Sequence, residues 1–428
     1  MKRRARIIAP ALFILSMVVP FGSAHAQAGT LDTTFGKGGV AATTLTTASA
    51  SNGITPYAVA LQSNGEILVL VNVVDGASTT TDVLRYKTTG VLDATFGNEG
   101  IAVLPTTLGE MESMALQSNG QILIAGIFNS SANGSVYGIE RLNTNGAADT
   151  TFGKDGLAEA VLSGPGPELT LLIETDGDIV LGGQLEPTGR KEPFTTSLAR
   201  FTSSGALDST FGSGGIVNVA AVGGCTALAE LSTGEIQVVN GEAIAQFTPS
   251  GSLESTVTGG TVVASAGSQG PSAPSVFQAN GDYLYATPLF VGEESRAHNA
   301  SVEVLRFTGT GAADSTFADP SFHFAGAGGY GIEALPYGIA VASNGDIVVD
   351  GMQITDAQSG TTTVNGLARL TSSGDLDTTF GTDGAVTNSD PTGTEGYEEV
   401  AIQPNGDIIT VGMANSFTQL TVSRYLGN

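Results

Sequence analysis

Short apolar runs recur along the chain from about residue 29 onward, among them Ile67–Val71, Ile122–Ala125 and Ile347–Val349. Clusters of Ser, Thr, Asn, Asp and Gly bound each run. Runs this short, punctuated by turn residues, predict β-strands. No stretch carries apolar residues at helical spacing behind a capping residue, so helices of useful length are not expected. An Asn-Gly or Asp-Gly dipeptide follows one class of apolar run, as in ALQSNGEILVL at 60–70. It predicts a two-residue hairpin turn with positive φ at both central positions.

The runs belong to a repeat. A turn-like motif stands at 29–36 (GTLDTTFG), 90–97 (GVLDATFG), 146–153 (GAADTTFG) and 205–212 (GALDSTFG). It continues as GSLESTVT at 251–258, GAADSTFA at 311–318 and GDLDTTFG at 374–381. Successive copies are 61, 56, 59, 46, 60 and 63 residues apart, and one hairpin stretch lies in each interval and one after the last copy. A fixed period of this size marks a solenoid, propeller or array. Each unit reads as four short antiparallel strands: two around the hairpin, a third carrying sequences such as VLRY at 83–86, and a fourth after the LDxTFG turn. Seven such units predict an all-β, seven-bladed β-propeller of four-stranded antiparallel blades, one domain over 27–428. Its competitor, an open solenoid, needs polar capping repeats at both ends. Here the chain enters on a turn and a fourth strand and leaves on a third strand, LTVSRYL at 420–426. Those pieces complement each other if the N-terminal strand closes the last blade.

The paired motifs closely resemble the delta-60 repeat family of bacterial proteins, with its Leu-Asp-x-Thr-Phe-Gly turn and ALQxDGKI-type hairpin. The resemblance covers about residues 29–428. It implies a propeller and no established biochemical activity. Repeat five departs from it at Glu254 and Val257, and repeat six at Ala318.

Composition narrows the chemistry. Of 428 residues 59 are Gly, one is Cys, three are His and none is Trp. A single cysteine, Cys225, excludes an internal disulfide and a cysteine-based zinc cluster. Net charge is −25, which repels nucleic acid and anionic lipid. Lys2, Arg3, Arg4 and Arg6, the apolar run Ile7–Phe21 and Ala24-His25-Ala26 read as a signal peptide over 1–26, cleaved after Ala26. The run is shorter than a bilayer span needs, so no membrane span is expected. Export without disulfides suits a bacterial periplasm, cell surface or medium, and a monomer is expected.

The recurring acids Asp32, Asp93, Asp149, Asp208, Glu254, Asp314 and Asp377 read as turn carboxylates that accept backbone N–H bonds, not as a seven-fold cation site. The recurring Phe35, Phe96, Phe152, Phe211, Phe317 and Phe380 read as wedges between blades. An arginine stands eight residues before the turn acid in five units: Arg85 and Asp93, Arg141 and Asp149, Arg200 and Asp208, Arg306 and Asp314, Arg369 and Asp377. In one unit both members change, to Gln246 and Glu254. Arg424 has no acid eight residues on, and ring closure assigns it Asp32. The short fourth unit, with Val239–Ala243 as a tight connection, and the altered turn beside it predict blades four and five as the least regular sector.

Catalysis finds little support. A sialidase-like site needs spare arginines, and only Arg190 and Arg296 remain outside the repeat series and the leader. Quinone-binding propellers dock through Trp, which is absent. His298, in a loop of the fifth unit, and His323, on its outer strand, read as solvated side chains and not as partners around one metal, so no metal or cofactor is expected. In such a blade both tight turns share one end of the ring, and the variable connections share the other, where binding on a rigid scaffold usually resides. Aligning the units on the hairpin places Tyr57, Glu112, Leu169, Thr226, Ala273, Tyr337 and Glu398 near that channel mouth, with Glu168 and Glu399 adjacent. Tyr57, Glu112, Glu168, Tyr337 and Glu398 are the candidate binding residues. The reading is a non-catalytic binding or scaffold module for a glycan or an envelope or extracellular protein. Its alternative is a lyase or glycoside hydrolase using these acids and tyrosines.

Overall fold

The computed structural model describes residues 27–46, 53–76, 78–104, 108–130, 134–162, 166, 169–185, 194–219, 222–241, 243–258, 274–290, 300–324, 330–357, 360–387 and 394–428. The leader at 1–26, Glu168, Ala273 and His298 lie outside them. The described strands form seven four-stranded antiparallel sheets.

Strand β1 (Val40–Thr44) comes first in sequence but belongs to the last blade. Blade 1 contains β2 (Gly53–Leu61), β3 (Ile67–Asp75), β4 (Ser78–Tyr86) and β5 (Ile101–Val103). Blade 2 contains β6 (Leu108–Leu116), β7 (Ile122–Ser130), β8 (Gly134–Leu142) and β9 (Leu157–Ala160). Blade 3 follows with β10 (Thr170–Ile173), β11 (Ile179–Leu185), β12 (Thr195–Phe201) and β13 (Ile216–Val219). Blade 4 has β14 (Ala227–Glu230), β15 (Ile236–Asn240), β16 (Ala243–Phe247) and β17 (Leu253–Thr258). Blade 5 has β18 (Ser275–Phe277), β19 (Tyr283–Phe290), β20 (Ala300–Phe307) and β21 (Ser321–Phe322). Blade 6 has β22 (Tyr330–Val341), β23 (Ile347–Ala357), β24 (Gly360–Leu370) and β25 (Ala385–Thr387). Blade 7 is β26 (Thr394–Ile402), β27 (Ile408–Ala414) and β28 (Gln419–Tyr425), completed by β1.

The first strands of neighbouring blades touch in sequence around the ring, and β26 touches β2 to close it. They therefore surround the axis. Closure is by backbone pairing: Val40 through Thr44 run antiparallel to Ser423 through Gln419. The middle strands are continuous apolar runs because both sheet faces are covered by adjacent blades; β11 and β27 are buried at every position. The core is a set of layers between blades, one holding Phe35, Val69, Leu84, Val411 and Leu420 from blades 7 and 1.

The hairpin between the first two strands is not the two-residue turn expected. Gln62 N–H bonds to Glu66 O at 2.8 Å and Gly65 N–H to Gln62 O at 2.8 Å, leaving a three-residue loop. Only the glycine is left-handed (φ 84°), and Asn64 keeps negative φ. Its side chain does different work: Asn64 Oδ1 accepts the Glu66 N–H at 3.0 Å. Asn119, Asp176, Asn280, Asn344 and Asn405 repeat that bond. This is a type I turn closed by a left-handed Gly, held by a side chain that mimics a backbone acceptor.

The LDxTFG motif is the junction between blades. Asp93 Oδ1 accepts Thr95 N–H at 3.2 Å and Thr95 Oγ1 at 2.9 Å, which locks the turn. Arg85 then forks onto Asp93, with Nη2 at 2.5 Å. Its Nη1 donates across the gap to Thr144 O of blade 2 at 2.7 Å. The guanidinium lies 4.6 Å from the centre of the Phe96 ring, which is fully buried. The terminal Gly97 N–H also crosses, to Asn145 O at 2.8 Å. The residue facing it must be Gly146, since a Cβ there would come 3.0 Å from the Gly97 nitrogen and the Phe96 ring.

The same latch recurs with Arg–Asp separations of 2.8 Å (Arg141–Asp149), 2.6 Å (Arg200–Asp208), 2.8 Å (Arg306–Asp314) and 2.7 Å (Arg369–Asp377). Across the closure, Arg424 Nη2 lies 2.6 Å from Asp32 Oδ2, and its Nη1 donates to Thr88 O of blade 1 at 2.8 Å. Blade 4 has Gln246 instead. There Gln237, cross-strand partner of Gln246, sends Nε2 to Gly309 O of blade 5 at 2.7 Å. That carbonyl is the counterpart of the Thr144 carbonyl. A neutral amide thus spans the one junction that lacks a guanidinium.

Candidate functional site at the variable end of the channel

One end of the ring is uniform, built from the three-residue hairpins and the latched turns. The other carries the connections between second and third strands and between blades. Its asymmetry originates in the first strands. In blades 3, 4 and 5 these have 4, 4 and 3 residues. In blades 6, 7, 1 and 2, which are contiguous, they have 12, 9, 9 and 9.

Each of the four long strands carries an extra residue at the same place. Pro56 pairs with Val71 and Ala58 with Leu70, leaving Tyr57 bulged. By the same pattern Glu112 is extra on β6, Tyr337 on β22 and Glu398 on β26. Four of the five candidate rim residues therefore occupy equivalent bulge positions on one continuous arc. A bulge breaks the alternation of side chains and increases local twist. Tyr57 and Tyr337 are half-buried, and Tyr57 packs against the layer between blades 1 and 2. Leu169 and Thr226, aligned with them in sequence, stand just before the short β10 and β14 and carry no such bulge. The signal for the bulges was present in part: Pro56 and Pro336 each precede the bulged tyrosine, and Pro in a sheet is confined to edges and bulges.

The strongly shifted acids lie elsewhere. Glu140 on β8 is buried between blades, and loss of solvation alone pushes it up to about 7. Glu174, at the uniform end, is also pushed up to about 7, first by burial and then by Asp176, Glu230 and Asp178. Arg200, 3.8 Å away, only partly offsets this. Asp93 moves the other way: burial raises it, but the Thr95 hydroxyl and N–H and the Arg85 fork outweigh that and bring it to about 2. The latch accounts for Asp93, whereas Glu174 Oε2 is buried with no hydrogen-bond partner among the described residues. His323 follows the outermost strand of blade 5, its Nδ1 3.1 Å from Ala300 O and 3.2 Å from the Gln353 amide. Among the described residues no three His, Cys, Asp or Glu side chains converge as a metal site. A cleft of 240 Å³ lies at the ring's periphery, between the Gln27–Thr30 segment and β25, and has no charged lining residue.

Fold and repeat together define a β-propeller. Segments 62–96, 117–152 and 342–380 match the model of a family described as a β-propeller domain of unknown function, DUF5122. Each matched segment runs from the hairpin of one unit to its LDxTFG turn. No curated protein matches the chain. Among solved structures, the chain is similar to an extracellular domain described as part of a one component system of B. thetaiotaomicron. Identity is 12%, coverage 88% of this chain and 39% of that one, and the TM-score 0.31. An endo-arabinase from Bacteroides thetaiotaomicron is similar at 8% identity over 74% of this chain and 94% of that one, TM-score 0.34. PQQ-bound aldose sugar dehydrogenase from Streptomyces coelicolor is similar at 12% identity over 90% and 98%, TM-score 0.34.

Proposed function

We propose that this chain is an exported bacterial propeller of the delta-60 repeat type, acting as a non-catalytic binding module through the variable end of its channel. The observation that supports this reading is the contrast between the two ends. The uniform end repeats the same hairpin in nearly every blade and the Arg–Asp latch at six junctions. The variable end carries divergent connections and four adjacent bulged strands, an asymmetric surface on a rigid ring. A net charge of −25 favours neutral or basic partners over nucleic acid or anionic lipid. The partner is an extracellular glycan or an envelope protein. Glycan-array binding of the chain lacking residues 1–26, together with capture from envelope extracts, tests the reading. Saturable binding of one partner class supports it, and no binding in either assay removes it.

A further inference from the structure

In an Asn-Gly pair the glycine nitrogen can attack the asparagine side-chain carbonyl, because glycine has no Cβ to hinder the approach. Eight such pairs lie wholly within the described residues, and the fold restrains seven of them. At the hairpins both reacting groups are occupied. Asn64 Oδ1 accepts the Glu66 N–H at 3.0 Å, and the Gly65 N–H donates to Gln62 O at 2.8 Å. Asn119, Asn280, Asn344 and Asn405 keep the same two bonds. Asn145 does so in its own turn, with Oδ1 on the Ala147 N–H at 3.1 Å and the Gly146 N–H on Asn143 O at 2.9 Å. Asn365 and Gly366 lie inside β24, where Asn365 is buried.

Asn240-Gly241 is the exception. Asn240 ends β15 and pairs directly with Ala243, so the connection to β16 is two residues long and Gly241 (φ 58°) is its first. The Gly241 N–H makes no hydrogen bond among the described residues, and Asn240 Oδ1 accepts none. Both residues are half-buried, so water reaches them. The side chain makes one bond, from Nδ2 to Val222 O at 2.9 Å. That bond ties the link between β13 and β14 to the tip of blade 4 at the variable end. The junction of this blade with blade 5 is the one without an arginine latch, which favours local opening.

We infer that Asn240 is a site of spontaneous deamidation, and that the fold shields the other described Asn-Gly pairs from the same reaction. The Gly241 nitrogen bonds to Asn240 Cγ, the Cγ–Nδ2 bond breaks, and ammonia leaves with the Gly241 proton. Water then opens the succinimide ring to aspartate or, at its other carbonyl, to isoaspartate, which carries an extra carbon in the backbone. Either product sets a carboxylate oxygen where an amide donor faced the Val222 carbonyl, so the link between β13 and β14 is released. The test is peptide mapping by mass of the folded chain aged at mildly alkaline pH, beside a sample aged in urea at the same pH. In the folded chain Asn240 converts ten-fold or more faster than the other seven asparagines, and in urea all eight convert at similar rates. Conversion of Asn240 no faster than that of the hairpin asparagines overturns the inference. A lead for Asn240 that persists in urea also overturns it, because the fold would then not be the selector. Amide exchange reads the consequence: Asn240→Asp, or the aged native chain should that variant not fold, exchanges faster across 222–227 than the fresh native chain. Unchanged exchange there overturns the release of the link.

Discussion

At the scale of single residues, the molecule is held by one arrangement copied around a circle. An arginine meets the turn aspartate, covers a buried phenylalanine and donates to the next blade. Charge-assisted bonds in so enclosed a place contribute about 1.5–3 kcal/mol. Asp93→Ala and Asp32→Ala remove chemically similar bonds with different consequences. Around Asp93 the chain is continuous, whereas Asp32 and Arg424 are 392 residues apart. Asp32→Ala is expected to lower Tm further and to speed amide exchange in β1 and β28, while Asp93→Ala speeds it only near its own turn. Equal effects would contradict a special role for the closure pair.

Titration follows from the same residues. The turn aspartates have lowered pKa values, so the stability they contribute is present above about pH 4 and is lost as pH falls through their folded values. Glu140 and Glu174 are raised to about 7. For these acids the folded state holds the proton more tightly than the unfolded one, so stability declines as pH rises from about 4.5 to 7 and then levels off. Maximum stability is expected between about pH 4 and 5. Glu140→Gln is expected to flatten that slope and raise Tm at pH 8, a few degrees at most, as thermal melts across pH would show.

At the scale of strands and turns, much was legible because the constraint was repeated. The turn motif and its period gave seven blades, and the complementary ends gave the closing strand. What escaped depended on geometry that sequence does not encode locally. Asn-Gly suggested a two-residue turn, yet the Asn side chain closes a three-residue loop whose only left-handed member is Gly. Gln237 gave no sign of its bond to Gly309, since that bond exists only because the arginine position across the strand is Gln246. The bulge residues Tyr57, Glu112, Tyr337 and Glu398 aligned correctly, but an extra residue in one strand shows only once its partner is known. The left-handed run at Asn415–Phe417 left no signal beyond Asn itself. The same scale carries a stability difference. The blade 4–5 junction lacks the arginine, the phenylalanine wedge and the glycine bond, and Val257, in the wedge position, is 36% exposed. Amide exchange over β14–β17 is expected to outpace that in β3 and β7. Equal protection would show that Gln237 alone suffices.

At the scale of the whole molecule, the two ends have different tasks. The uniform end fixes the angle between blades, so the variable end can differ from blade to blade without disturbing the ring. An arc of long first strands facing an arc of short ones makes the mouth lopsided, a shape better suited to holding a ligand in one orientation than a symmetric funnel.

The shared seventh blade also places the molecule on a schedule. A ribosome releases β1 well before β28, since Thr44 and its neighbour Gln419 are 375 residues apart, so β1 waits through all of that synthesis with its partner still unmade. Local blades can assemble as they emerge, since each contains its own hairpins, but the circle cannot. Bringing such distant segments together is slow relative to local pairing. Until then, blade 1 presents an uncovered flank where blade 7 will dock. The seam is thus a checkpoint for the ring: a chain that stops before β28 leaves β1 without its partner, and the circle locks only once β28 is made.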